Sequence, residues 1–220
     1  MNKRNKNMEK YIEQVNDDLD KNSGIERRKV KEGVIGENRV YASSQRISTK
    51  TMALIAVMTA VTCVLAPLSI PIGPVPISLT NLAIYFGLYI LGMKKETVSY
   101  MVYLLIGFVG VPVFSGFTGG AGKLLGPTGG YLIGFIPMAI VAGILIDKSG
   151  GKVLPSVIGM VAGTAVCYGL GTAWFCIQAH YEVMPALALC VIPFLPGDAV
   201  KIAIAAFFGP QIRRAIKRIG

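Results

Sequence analysis

The sequence predicts an all-α integral membrane protein of six transmembrane helices with both termini in the cytoplasm, and three observations predict it. The 220 residues are 53% hydrophobic and 15% charged, but residues 1–50 hold twelve of the 22 Lys and Arg and eight of the 12 Asp and Glu. Beyond them follow apolar runs of about 20 residues, the length that crosses a hydrocarbon core of about 30 Å. Lys and Arg, finally, alternate between rich and poor connections, the pattern that sets orientation. A soluble domain needs a charged surface, whereas after residue 50 the only acidic groups are Glu96, Asp147, Glu182 and Asp198.

Residues 1–46 stand apart. They are rich in Lys, Glu, Asn and Asp, and they lack the apolar core and small-residue cleavage site of a signal peptide. They read as a disordered cytoplasmic tail, with room for a short helix around 8–19, ahead of a transmembrane domain over 47–220.

Span one covers about 47–68. The uncharged stretch 51–93 is cut by Pro67, Pro71, Pro74 and Pro76, which do not continue a helix, so it divides into two helices and a rigid turn. Span two covers about 77–93 and is closed by Lys94-Lys95-Glu96. The others cover about 97–111, 130–146, 153–177 and 196–217. With Arg46 and Lys50 inside, the successive connections carry no cation, then Lys94 and Lys95, then Lys123 alone, then Lys148 and Lys152, then none, then Arg213, Arg214, Lys217 and Arg218. The inner side is rich and the outer side poor, which supports six spans independently of hydropathy. Two outer connections, 112–130 and 180–195, are too long for turns. The second contains the apolar run 185–192, too short to cross, which lies at the outer surface or re-enters. Irregular backbone at membrane depth packs on protein or lines a cavity, so a site belongs on the outer side.

Several function classes drop out. The C-terminal basic cluster follows an apolar helix and is not a stripe interleaved with aromatics, which argues against nucleic acid. Cys63, Cys167, Cys176 and Cys190 lie singly in apolar stretches and read as small hydrophobes, with no metal or cofactor implied. Gly122-Lys123 fails the phosphate-loop pattern because Phe117 and Leu124 stand where a Gly and a Ser or Thr are required. Any energy from ATP must therefore come from another subunit.

The strongest feature is Phe194-Leu-Pro-Gly-Asp198-Ala-Val-Lys201 at the start of the last span. Asp198 and Lys201 are three residues apart, hence on one helical face of an otherwise uncharged run. A charge at bilayer depth costs on the order of 2.5 to 3.5 kcal/mol on insertion scales, so the pair is a ligand-site candidate; the plainer reading is that the two pair with each other, or that Asp198 caps the helix. The glycines of Gly126-Pro-Thr-Gly-Gly-Tyr131-Leu-Ile-Gly134-Phe135 allow close backbone approach to a ligand or to a neighbouring helix. Gly130 with Gly134, and Gly159 with Gly163, have helix-packing spacing. The small-residue stripe Ala56-Val-Met-Thr-Ala60 allows close docking of a helix from this chain or from a partner. His180 reads as a loop histidine, and Trp174 with Tyr181 as an interfacial anchor.

Pro74-Val-Pro76-Ile-Ser-Leu-Thr80-Asn81, Gly110-Val-Pro-Val-Phe114, the Gly126 to Phe135 stretch and Pro193-Phe-Leu-Pro-Gly-Asp-Ala-Val-Lys201 together resemble the BioY family, the biotin-specific substrate-binding (S) components of energy-coupling-factor (ECF) transporters. The likeness runs over about residues 47–215. It implies the six-helix S-component fold in a prokaryotic cell membrane, a biotin pocket under the outer loops, and docking on a transmembrane coupling subunit served by two ATPase subunits. By resemblance the Ala56 to Ala60 stripe meets that coupling subunit. Asp198 and Lys201 would face the polar parts of biotin, with Thr80, Asn81 and Tyr131 completing the pocket. Some relatives have a basic residue just after the Gly-Gly-Tyr where this chain has Leu132, which leaves Lys123, backbone N–H groups near Gly129, or water for the biotin carboxylate. Two alternatives stand beside this: an S component for a different vitamin, and a membrane enzyme using Asp198 as acid or base.

Overall fold

The computed structural model of the chain describes residues 48–71 and 75–219, together with Lys10, Glu13, Gln14 and Lys21. Apart from those four residues, the tail expected over 1–46 lies outside the described residues, as does Pro74 of the proline turn.

Helix α1 (Thr49–Leu65) contains neither Gly nor Pro and stops just short of Pro67. It buries Met58, Thr59 and Thr62, and the Thr59 hydroxyl lies 3.0 Å from that of Ser99. Ala56 and Ala60 are on the opposite, exposed face, so the stripe is not a seam within the bundle. The proline-rich turn contains two short antiparallel strands, β1 (Ser69–Ile70) and β2 (Ile77–Ser78), with Ser69 opposite Ser78.

Helix α2 (Thr80–Leu91) is shorter than the expected span, at 12 residues or about 18 Å. Its buried residues fall all around its circumference, which marks a core helix. Its partner α3 (Met93–Phe108) follows after a single residue, Gly92, whose φ of 76° only glycine adopts cheaply. Lys94-Lys95-Glu96, expected to form a loop, is therefore the first turn of α3. The two lysines are exposed, while Glu96 is fully buried against Gly87, both carboxyl oxygens lacking a hydrogen-bond partner among the described residues.

The connection after α3 is folded back on itself, with Phe114 and Thr118 bridged and Phe114 buried against Gly107, before the short α4 (Ala121–Leu125). Helices α5 (Gly129–Lys148) and α6 (Val153–Ala179) form the most closely packed pair among the described elements. A side chain on Gly130 would strike Trp174, one on Gly159 would meet Leu145 and one on Gly163 the Met138 carbonyl, so both glycine pairs serve packing. His180 ends α6 in the left-handed region, which His enters more readily than most residues. The apolar run 185–192 falls largely on the eight-residue α7 (Val183–Cys190), joined by one 3₁₀ turn to α8 (Leu195–Ile219).

At the opposite end the Asp147 carboxylate accepts the Met93 N–H at 2.8 Å and pairs with Arg213 at 3.0 Å, while Arg213 also donates to the Ile146 carbonyl. Asp147 of α5 thus satisfies a free backbone N–H at the start of α3, and Arg213 of α8 meets a carbonyl at the end of α5. Three described segments are long and apolar enough to cross a membrane, Gly129–Lys148, Val153–Ala179 and Val183–Ile216; Thr49–Leu65 and Thr80–Leu91 are apolar but shorter.

Candidate solute-binding site

A cavity opens between the β-hairpin, α2, α5, α6 and the head of α8, with about 670 Å³ of non-atom space counting its open mouth. Asn81, Lys123, Tyr131, Asp198 and Lys201 all line it, although up to 120 positions separate them in the chain. Apolar walls come from Val75, Ile77, Leu132, Phe135, Met138 and Phe194.

Its polar end is built around Asp198 in the first turn of α8. One carboxylate oxygen, Oδ1, accepts from Asn81 Nδ2 at 2.8 Å and from Lys201 Nζ at 3.0 Å; the other, Oδ2, accepts from the Tyr168 hydroxyl. Lys201 also donates to the Ser78 carbonyl at 2.6 Å. The ion pair thus joins a network from α2, α6, α8 and β2, which goes beyond mutual neutralisation. Burying two charges is costly unless further hydrogen bonds satisfy them, and these partners do so. A carboxylate has about four acceptor positions and an ammonium three donors. Three of the former and two of the latter are filled. Among the described residues one acceptor position, on Oδ2, and one donor, on Lys201, are left within the same network, which suits a neutral group carrying both an N–H and a C=O, such as a cyclic urea or amide.

The other expected residues divide. The Tyr131 hydroxyl is engaged with Thr172 at 2.9 Å, its ring packs on Gly171, and the ring lines the cavity. Lys123 lines the mouth and makes no salt bridge among the described residues. Thr80 is buried off the wall, its hydroxyl 2.9 Å from that of Ser78. Gly129 is off the wall as well: it packs on the Leu124 carbonyl, and its N–H is already donated to Gly126 at 2.9 Å. Trp174 is half-buried and donates to the Gly126 carbonyl at 3.0 Å, so it anchors the glycine turn as well as any interface. Tyr168 and Ser78 were missed by sequence reasoning. A tyrosine in an apolar helix carries no distinguishing signal, and the Ser78 contribution is a backbone carbonyl, which any residue supplies.

The BioY family model matches residues 39–218. The chain belongs to the BioY family. The biotin transporter BioY of Thermotoga maritima is 37% identical over 158 residues, 72% of this chain and 92% of that protein. BioY2 of Lactococcus lactis, also named a biotin transporter, is 33% identical over 172 residues, covering 78% and 94%. A probable biotin transporter BioY of Pyrococcus horikoshii is 35% identical over 167 residues, covering 76% and 98%. A 2.1 Å crystal structure of the S-component for biotin from an ECF-type ABC transporter superposes with a TM-score of 0.71 at 30% identity, over 78% of this chain and 94% of that one. This BioY member therefore has the all-α S-component fold and belongs among membrane transporters, not enzymes.

Proposed function

We propose that this protein binds biotin from the outer side of a prokaryotic cell membrane and mediates its uptake as the S component of an ECF-type transporter. The observation that carries the reading is the free acceptor and donor at Asp198 and Lys201, set at the polar end of an otherwise apolar cavity in a BioY-family chain. The ureido ring of biotin presents N–H and C=O side by side, and its sulfur ring and valeryl chain need apolar walls. Asn81 and Tyr131 complete the ring end. Lys123, a cation at the mouth without a salt bridge among the described residues, is the partner for the valerate carboxylate; Leu132, which also lines the cavity, offers it nothing polar.

Six spans with both termini inside remain part of this reading, supported by the alternation of Lys and Arg. In it the exposed Ala56 and Ala60 face of α1 docks on a transmembrane coupling subunit that carries two ATPase subunits. The test is direct titration of the purified protein with radiolabelled biotin, thiamine and riboflavin. Saturable binding of biotin alone is expected. Binding of another vitamin in its place would keep the fold and overturn the solute.

A further inference from the structure

Tyr168 stands between two spaces. On one side is the cavity; on the other is an apolar groove between α6 and α8, walled by Val161, Ala165, Leu195 and Ala203, and the two share Thr164, Tyr168 and Asp198. Val161, Ala165 and Leu195 are exposed on the bundle's flank, so in a membrane the groove faces lipid.

We propose that Tyr168 is a positioning residue for solute recognition, pinning the second oxygen of Asp198 while its ring closes the cavity against the lipid side; this rests on the biotin reading above. Asn81 and Lys201 both act on Oδ1, and Tyr168 is the one donor on Oδ2 among the described residues. Without it the carboxylate is held by one oxygen, and its plane is free to turn toward the groove. With it, donors from three helices define the plane, and the remaining acceptor position has a set direction. The neighbouring wall member is equally fixed, since the Thr164 hydroxyl lies 2.6 Å from that of Tyr85 and donates to the Met160 carbonyl at 2.7 Å. A fixed acceptor direction selects for ligand geometry, because a preorganised group loses little freedom on binding. The ring also keeps acyl chains from reaching the polar end of the cavity.

The experiment uses the full chain in detergent, titrated with biotin, with melting temperature followed for each variant. Tyr168→Phe keeps the ring and removes the hydroxyl. It is expected to melt near the parent and to weaken biotin about tenfold, the size of one charge-assisted hydrogen bond. In an Asp198→Asn background the same change is expected to add less than about twofold, because the two groups act as one. Tyr168→Ala also opens the wall and is expected to weaken biotin beyond Tyr168→Phe. A Tyr168→Phe protein that binds as tightly as the parent while Asp198→Asn is weakened overturns the positioning role and leaves the site intact. Equal losses from Tyr168→Phe in both backgrounds overturn the route through Asp198. If Tyr168→Ala matches Tyr168→Phe, the wall is refuted. An Asp198→Asn protein of parental affinity would overturn the Asp198 site instead, and a parent that does not bind biotin would overturn the biotin reading on which this rests.

Discussion

Asp198 carries three hydrogen bonds on a side chain that is 10% exposed, and Lys201 carries two at 9%. At that burial each change to the pair reads out both ligand and network. Asp198→Asn is expected to fold and to weaken biotin about ten- to a hundredfold, since an amide replaces a charge-assisted acceptor imperfectly. Lys201→Met leaves the carboxylate buried without its cation, and binding is expected to fall at least as far. The double change removes both charges and is expected to be the more stable of the Lys201→Met proteins while still failing to bind. A double variant with parental affinity in a biotin titration would reduce the pair to structure. The pair was legible in the sequence because two charges three residues apart in an apolar helix have few harmless explanations. Asn81 became persuasive only through its motif, and Tyr168 not at all, because hydrogen bonds across 30 to 117 positions leave no local pattern.

Among the elements, α1 and the α5–α6 pair make opposite use of small residues. The Gly130, Gly134, Gly159 and Gly163 positions are filled by a facing helix, whereas Ala56 and Ala60 face outward. Gly130→Val is expected to drive a side chain into Trp174 and to destabilise the protein by about 1 to 3 kcal/mol, visible as a lowered melting temperature. Ala56→Trp or Ala60→Trp is expected to leave melting temperature and biotin affinity unchanged and to abolish ATP-dependent uptake by holding the coupling subunit away. Lost affinity with preserved assembly would overturn the docking role of this face. Spacing alone could not separate these cases, since four-residue intervals of small residues look the same toward a neighbour, a partner or lipid. The short α2 was likewise hidden: apolar residues surrounding a helix signal burial in lipid or in protein equally well.

For the whole molecule the open quantity is topology. With six spans and the charge-rich ends inside, an externally applied thiol reagent on intact cells is expected to label Thr118→Cys and spare Ser149→Cys. Thr118 is the better outer probe because it is exposed, whereas a side chain on neighbouring Gly119 would collide with the Val111 carbonyl. The native cysteines would first be replaced; equal labelling at both positions would end the six-span orientation. The sequence by itself determined the class, the helical runs, the polar pair and the family, because apolar length, charge placement and short motifs are all local along the chain. Tertiary structure decided that α2 is a buried core helix, that Glu96 turns inward, that Thr80 and Gly129 leave the wall, and that Tyr168 and the Ser78 carbonyl join the site. Each of those depends on which residue a distant segment brings opposite it, and a single chain does not encode that pairing in any local pattern.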